Sequence, residues 1–382
     1  MKDSIIKTVK LFPVTTARLY GAPSQHVILK METRGGAVGW GEMSDVSHLP
    51  AMMPDVRDLE KCLQSLLENK DAMAINRIED VMLANFPGTR FHGKACLIRA
   101  AVSIAAHDLK ARLLDVPLYD LLGGKRRDKA LICYPLFRMN SREDVSENRR
   151  AVREQFARGF NHFRFYFGHN TDADVELLEA ICGEFGDKIT LTSLDASGLF
   201  TVPAFMRAYR RLKDFPFESV ESPVERDDVE SIAEVRKMID HPVSEHVRSP
   251  EYALRLIKHR AVDIFNISIT VAGGIGGMMR LFALADSANL ECLIGTTQEL
   301  SLATAAQAHV AAAAPRLDYA SDPVGPCLYQ TDVVCEPVRY ADGFLHVPEG
   351  AGLGVEVDER KIENLSQPLS SHGDILTNFA RG

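Results

Sequence analysis

Short apolar segments recur at nearly equal spacing through the middle of this 382-residue chain. The ends of four of them, at Tyr166, Asp195, Glu221 and His246, lie 29, 26 and 25 residues apart. Amphipathic stretches fill the intervals, and a strand that alternates with a helix at this period forms a βα unit. About eight such units in series close into a parallel barrel rather than an open sheet. The spacing therefore predicts an α/β fold built on a (β/α)7β TIM-like barrel.

The pattern of apolar and polar residues divides the chain into three parts. Residues 5–44 alternate apolar and polar positions and a helical pattern follows them, so we predict an α+β capping domain over 1–127. The barrel is predicted over 128–330, and residues 331–382 return to a hairpin-like pattern that we expect to pack back on the capping domain. Barrel strands are predicted near residues 131–136, 162–167, 189–195, 217–221, 242–247, 263–267 and 290–294, with a weaker one near 317–320.

Composition and charge narrow the class of function. Hydrophobic residues make up 46% of the chain and charged residues 25%, which is close to the average for folded globular proteins. The net charge of −8 predicts no nucleic-acid partner, and the lack of an 18-residue apolar run or a secretory segment predicts no membrane partner. The seven cysteines are scattered and form no CxxC pair. We therefore expect a cytoplasmic protein that acts on a small molecule.

Three successive predicted strands end in residues that can bind a cation. In a βα barrel the strand ends converge on one face, where catalytic groups lie. Asp195, Glu221 and His246 would supply two carboxylates and an imidazole, a set that suits Mg²⁺ or Mn²⁺ completed by water and substrate. Each residue alone could instead be a helix cap, a salt-bridge partner or a structural histidine. Glu245 is a rival to His246, although alternation along a strand places it on the opposite side.

Several longer motifs resemble the enolase superfamily in its muconate-lactonizing and mandelate-racemase branch. They are VGWGEM (38–43), AAHDLKARLLDVPLYDLLGG (105–124), VESPV (220–224), DIFNISITVAGGI (263–275) and PEGAGLGVEV (348–357). The resemblance implies a capped barrel, commonly a homo-oligomer, that removes a proton next to a carboxylate of a small-molecule substrate. It also implies Mg²⁺ bound at the ends of the third, fourth and fifth strands. The fifth-strand ligand of the family is usually acidic, so His246 is a departure.

A second departure concerns the base that abstracts the proton. The family's second strand commonly ends in lysine, any residue and lysine, but here the strand reads HFRFYFG and places Arg164 and Tyr166 at those positions. Residues two apart on a strand point to the same side, so both should face the barrel mouth. Tyrosine ionises near pH 10, and a neighbouring guanidinium favours the phenolate and lowers that pKa. Tyr166 with Arg164 is therefore the predicted base, the alternative being a tyrosine that only packs at the rim.

The reaction is expected to be a dehydration of an acid sugar. Within the family, the chain is most similar to the galactarate dehydratases that carry an arginine and a tyrosine on strand two. Two acidic ligands and a neutral histidine leave the Mg²⁺ site near zero charge, which favours a doubly charged substrate such as an aldaric acid. The sixth and seventh strands end FNISIT (265–270) and IGTTQE (294–299), without the lysine or histidine that family racemases use as a second base. An epimerase or cycloisomerase, and a barrel that only binds a metal and an acid, remain as alternatives.

Loop residues complete the predicted site. The loop PGTRFHGK (87–94) offers His92, and less favourably Arg90, as the acid that assists the departing hydroxide. The family subgroup uses a tyrosine from this region, which the chain lacks. Substrate contacts are predicted for His48, Gln298 and Glu299.

The capping domain could also hold a second metal ion. Members of the similar subgroup can bind one there. Asp45 and His48, helped by Thr297, are the predicted ligands of a second Mg²⁺. These polar residues could equally contact only substrate or solvent.

Overall fold

A computed structural model describes residues 3–46, 53–91 and 93–369. Its first part is a three-stranded antiparallel sheet followed by four helices. Leu11 on the first strand pairs in register with Leu29 on the second, and apolar side chains of the sheet and helices form a core of their own. Strands β1 to β3 span Ile6–Thr16, Ser24–Thr33 and Val38–Met43, and helices α1 to α4 span Val56–Leu67, Ile75–Asn85, Lys94–Leu113 and Leu118–Leu121.

Two glycines let β3 lie directly on α3. A Cβ atom at Gly41 would overlap the carbonyl oxygen of Ala101, and a Cβ atom at Gly39 would overlap that of Ala105. The helix is 20 residues long and most of its side chains are buried. A side chain at either glycine would therefore force the sheet away from the helix.

Seven parallel strands, β5 to β11, follow one another in chain order in a single sheet, and a helix follows each strand. The side chains of Asn170, Asp228 and Ser249 accept backbone hydrogen bonds at the starts of the second, fourth and fifth of these helices. The strands span Tyr134–Leu136, His162–Tyr166, Thr190–Asp195, Phe217–Glu221, Val243–His246, Ile264–Asn266 and Glu291–Leu293. Helices α5 to α11 span Glu143–Ala157, Thr171–Phe185, Val202–Leu212, Val229–Met238, Pro250–His259, Ile275–Ser287 and Ser301–Ala313.

Residues 318–322 close the ring between the last strand and the first. The Cys133 amide, just before the first strand, donates to the Ser321 carbonyl at 2.9 Å, and on the other side the Asp322 amide donates to the Ile294 carbonyl at 2.7 Å. Residues 318–322 thus occupy the position of the eighth strand, slightly later in the chain than the predicted 317–320. The prediction of a (β/α)7β barrel with an α+β capping domain is therefore confirmed.

The first predicted barrel strand, 131–136, is divided in the structure. β4 (Lys129–Leu131) leaves the barrel and pairs antiparallel with β13 (Phe344–His346), which also pairs with β12 (Tyr340–Ala341). Only Tyr134–Leu136 belongs to the parallel sheet. An apolar run does not reveal its partner, so the sequence could not separate the two strands.

The C-terminal segment returns to the capping domain. Helix α12 (Glu359–Leu365) contacts β1, and the Gln367 amide donates to the Pro13 carbonyl at 3.1 Å. No helix in the described part of the chain is long and apolar enough to cross a membrane.

Candidate active site

The ends of three neighbouring strands place the predicted catalytic side chains at one level of the barrel. Tyr166 on β6 pairs in register with Asp195 on β7, and Asp195 pairs with Glu221 on β8. Arg164 lies two residues before Tyr166 on the same strand and therefore points to the same side. The structure thus brings these four predicted residues together at the barrel mouth.

Arg164 lies buried at the centre of an acidic group. Its Nη2 donates to Oε1 of Glu221 at 2.7 Å, and its Nε donates to Oδ2 of Asp195 at 3.1 Å. Its Nη1 donates to Oδ2 of Asp322 at 2.5 Å. Burial alone would lower the pKa of Arg164, but Asp322 and Glu221 outweigh burial and hold that pKa well above its ordinary value. Arg164 is therefore a permanent cation shared by three carboxylates.

Asp322 is a member of the site that was not predicted from the sequence. It ends the segment that closes the barrel, and it also accepts a hydrogen bond from Sγ of Cys133 at 3.0 Å. Burial raises the pKa of Asp322 to about 6, although Arg164 opposes this shift. A signal was present, because the residue follows the weakly predicted eighth strand as an acid at a strand end, like Asp195 and Glu221.

His246, and not Glu245, faces the acidic group. Nε2 of His246 lies 2.9 Å from Oε1 of Glu221. Glu245 points to the other side of the strand, where it accepts a hydrogen bond from the Ser222 hydroxyl at 2.9 Å and lies 3.4 Å from Nε of Arg226. The orientation at this strand end follows the alternation that the sequence implies.

The donor chemistry of this group fits a divalent cation. Asp195 and Glu221 offer carboxylate oxygens, and Nδ1 of His246 is a buried nitrogen to which no described atom is hydrogen-bonded. Arg164 already pairs with both carboxylates, and no three histidine, cysteine or acidic side chains of the described residues converge on one point. A cation here would therefore share its carboxylates with a guanidinium. Metal binding by Asp195, Glu221 and His246 stays a prediction.

The Tyr166 side chain lines a small cavity at the barrel mouth, together with Arg164 and Asp322. Its ring centroid lies 4.8 Å from Cζ of Arg164 and 5.6 Å from Cζ of Arg138, and its ring stacks on that of Phe137. Burial raises the pKa of Tyr166 above its ordinary value, Arg164 lowers it, and Asp195 raises it further. Arg164 therefore lowers this pKa as expected, but in the protein alone burial has the larger effect and the pKa stays above its ordinary value.

The two predicted substrate contacts after the seventh strand have different surroundings. Gln298 lines the mouth cavity, its side-chain oxygen accepts a hydrogen bond from Arg18, and its carbonyl accepts one from the Tyr329 hydroxyl at 2.6 Å. Glu299 is fully buried and accepts hydrogen bonds from the amide and the hydroxyl of Thr297, both at 2.9 Å. Glu299 thus supports its own loop, whereas Gln298 is placed to meet a ligand.

The described members of the predicted second metal site bind other protein groups. Asp45 pairs with Nη2 of Arg18 at 2.9 Å. The Thr297 hydroxyl lies 3.0 Å from that of Thr270. His48, the third predicted ligand and a predicted substrate contact, lies outside the described residues. The second Mg²⁺ stays a prediction that these contacts do not favour.

Phe91, from the loop that carries the predicted acid, lies close to the ends of the barrel strands. His92 itself lies outside the described residues, and Arg90 is exposed. The ring centroid of Phe91 lies 5.0 Å from that of His246, and Cζ of Arg226 lies 4.2 Å from the Phe91 ring centroid. The loop therefore comes close enough to the strand ends to contribute to the site.

Known proteins match the chain over almost its whole length. The curated "Muconate cycloisomerase 1" of Rhodococcus opacus is 28% identical, over 87% of this chain and 88% of that protein. The "N-succinyl-L-Arg/Lys racemase" of Bacillus cereus is 27% identical, over 91% of this chain and 92% of that protein. The crystal structure of muconate cycloisomerase from Pseudomonas fluorescens matches with a TM-score of 0.85 at 22% identity, over 96% of this chain and 99% of that one. These relatives are cycloisomerases and a racemase, so they do not support the narrower resemblance to galactarate dehydratases.

Two family models divide the chain between them. "Mandelate racemase / muconate lactonizing enzyme, N-terminal domain" matches residues 4–123, which contain the capping sheet and α1 to α4. "Enolase C-terminal domain-like" matches residues 147–361, more than half of the chain, from α5 through the barrel. Because these matches coincide with the two parts of the fold and with the acids at the strand ends, the protein belongs to the enolase superfamily of enzymes, in its mandelate racemase and muconate lactonizing branch.

Proposed function

We propose that this enzyme removes the proton next to a carboxylate of a hydroxylated acid, an acid sugar, and then eliminates water. The observation that carries the proposal is the position of Tyr166, which lines the mouth cavity beside the buried guanidinium of Arg164. Once it has lost its own proton, a tyrosine next to a fixed cation can accept a proton from a substrate bound in the cavity.

The reaction balances as the loss of one water molecule. The Tyr166 phenolate takes the α-proton, the C–H electron pair forms a double bond to the β-carbon, and hydroxide leaves that carbon with a proton from an acid. The resulting enol becomes a 2-keto-3-deoxy acid. A divalent cation held by Asp195, Glu221 and His246 would stabilise the negative charge that develops on the substrate carboxylate.

Tyr166 must lose its own proton before it can act as the base. Burial raises its pKa, and the charge of Arg164, which would lower it, is shared with three carboxylates. Positive charge added beside Asp195 and Glu221 would offset those carboxylates and lower the pKa of Tyr166. We therefore expect Tyr166 to ionise in the loaded site and to stay protonated in the protein alone.

The residues at the ends of the sixth and seventh strands, across the barrel mouth from Tyr166, favour elimination over racemisation. The sixth and seventh strand ends carry Asn266, Ser268, Thr296 and Gln298. None of these side chains is a lysine or histidine that could return a proton to the other face of the α-carbon. The acid that protonates the leaving hydroxide would come from the capping loop, where His92 is the candidate.

Cycloisomerisation is a second candidate, favoured by the relatives. Muconate and chloromuconate cycloisomerases from several bacteria are 24% to 28% identical to this chain. An isomerisation keeps all atoms of the substrate, whereas dehydration loses water. The two candidates therefore differ in their products.

The test is to incubate the purified protein and Mg²⁺ in ²H₂O with a panel of mono- and dicarboxylic sugar acids and with muconate. We expect a 2-keto acid from at least one sugar acid. Tyr166→Phe should lower that rate about 10²- to 10⁴-fold, the usual contribution of a general base. The control is Tyr209→Phe, because the Tyr209 hydroxyl bonds His241 at 2.7 Å on the outside of the barrel.

Three other results would change the assignment. A lactone from muconate without any keto acid would select the cycloisomerase. Deuterium in recovered substrate or its epimer, without keto acid, would select an epimerase. Full activity of Tyr166→Phe on whatever substrate is found would contradict the proposed base.

A further inference from the structure

Two further cationic side chains lie at the barrel mouth, outside the acidic group that surrounds Arg164. Arg138 follows β5, Arg226 follows β8, and both reach Ser197, which follows β7. Nη2 of Arg138 donates to the Ser197 hydroxyl at 2.9 Å, and Nη1 of Arg226 donates to the Ser197 carbonyl at 2.7 Å. Two guanidinium groups from different strand ends therefore converge on one residue.

Arg138 is bound only by neutral groups of the described residues. Its Nε donates to the Phe167 carbonyl at 2.6 Å, and its Nη2 also lies 3.4 Å from the Asp195 carbonyl. The side chain is half-buried. Burial lowers the pKa of Arg138, the negative charge of Asp195 acts in the opposite direction, and repulsion from Arg226 lowers the pKa further. Two positively charged guanidinium groups that are partly buried repel each other, and an anion bound between them would stabilise both.

Arg226 forms the other half of this site. Its side chain is 18% exposed, and its Nε forms an ion pair with the buried carboxylate of Glu245 at 3.4 Å, a distance longer than that of a good hydrogen bond. Cζ of Arg226 lies 4.2 Å from the ring centroid of Phe91, which reaches over from the capping domain. One wall of the site is therefore apolar, and the guanidinium pair is the part that can recognise charge.

We propose that Arg138 and Arg226 bind the second carboxylate of a dicarboxylate substrate. The proposal rests on the proposed function, because it takes the first carboxylate to lie beside Tyr166. Arg138 lies 5.6 Å from the Tyr166 ring centroid, so an anion on it is next to the reacting group. A guanidinium matches a carboxylate with two parallel hydrogen bonds, which a neutral hydroxymethyl group cannot replace. The pair would thus select a diacid over the corresponding monoacid.

Calorimetric binding in Mg²⁺ buffer tests this inference with two matched pairs, galactarate with galactonate and glucarate with gluconate. The members of a pair differ in a carboxylate or a hydroxymethyl group at one end. Tyr166→Phe provides the background, so that turnover does not disturb the titration. We expect at least one diacid to bind tenfold or more tightly than its monoacid. Arg138→Met and Arg226→Met should each weaken the diacid about 10- to 100-fold and the monoacid less than threefold.

Two further variants separate recognition from loop positioning. Arg138→Lys keeps the charge and should retain part of the preference for the diacid. Arg142→Met removes a charge just before α5, where Arg142 is exposed and lies 3.5 Å from Glu176, and should change neither affinity. Thermal midpoints of all variants show whether each one is folded.

Several outcomes would overturn the subsite. Equal weakening of diacid and monoacid in Arg138→Met would mean that the arginine only holds its loops together. No preference for a diacid, or no binding of any diacid, would also refute it. Keto-acid formation is measured separately on the unsubstituted enzyme. Selective diacid binding without keto acid would refute the proposed reaction alone, whereas dehydration without diacid selectivity would refute the subsite alone.

Discussion

Glu42 joins the capping domain to the barrel, and its removal should destabilise the whole protein. The residue lies near the end of β3 and is fully buried. Its carboxylate accepts hydrogen bonds from the backbone amides of Leu300 at 2.8 Å and Ala303 at 3.1 Å, at the first turn of α11. It also accepts one from the Ser44 hydroxyl at 3.0 Å. The N-cap residue of α11 is Leu300, whose side chain cannot accept a hydrogen bond from the helix amides.

The cost of Glu42→Ala follows from the donors that it leaves behind. Two amides and one hydroxyl would lose their acceptor, Nδ1 of His26 would lose its contact at 3.0 Å, and each buried unsatisfied donor costs about 1–3 kcal/mol. Water entering the vacated space would offset part of this, so we expect a loss of about 4 kcal/mol. The entropy of unfolding is about 2.1 cal/mol/K per residue, or about 0.8 kcal/mol/K for 382 residues. The melting temperature should therefore fall by about 5 °C.

Differential scanning calorimetry of Glu42→Ala and a matched control measures this fall. Glu60 is the control, because its carboxylate also accepts a backbone hydrogen bond, from the Leu11 amide at 2.8 Å, but its side chain is 29% exposed. Water can replace the lost acceptor there, so Glu60→Ala should lower the melting temperature by about 1 °C. If the two variants melt within 1 °C of each other, the buried carboxylate does not hold the two parts together as argued.

Three further outcomes are expected. Burial raises the pKa of Asp174 to about 7, above its value in the unfolded chain. The contribution of this group to the free energy of unfolding is therefore fully present below pH 4, and it falls by about 1.4 kcal/mol per pH unit as the pH rises to 7. Urea unfolding should show that Asp174→Asn gains stability relative to the parent between pH 5 and pH 7, and an identical pH dependence would contradict this. Gly41→Ala should destabilise the protein by about 3 kcal/mol or more, because its Cβ would overlap the Ala101 carbonyl oxygen; a melting temperature equal to the parent's would show that β3 can move. Treatment with EDTA should abolish product formation and added Mg²⁺ should restore it, whereas full activity after chelation would exclude the predicted metal requirement.

The type of fold, and the side to which the strand-end residues point, could be predicted from the sequence alone. The interval of 25 to 29 residues between strand ends is a local property of βα units, so it could be counted without knowing any contact. Alternation along a strand is equally local. For this reason the sequence could place Arg164 with Tyr166 on one side, and could separate His246 from Glu245, before their partners were known.

Which side chains meet, and how their pKa values shift, depends on contacts between segments that are distant in the sequence. Asp322 reaches Arg164 across 158 positions of sequence, and Glu42 reaches Leu300 across 258, because closure of the barrel and docking of the capping domain join distant segments. The pKa of Tyr166 shows the same division. Arg164, a neighbour along the strand, lowers this pKa as the sequence predicts, but burial is produced by the packing of the whole barrel and raises the pKa by more.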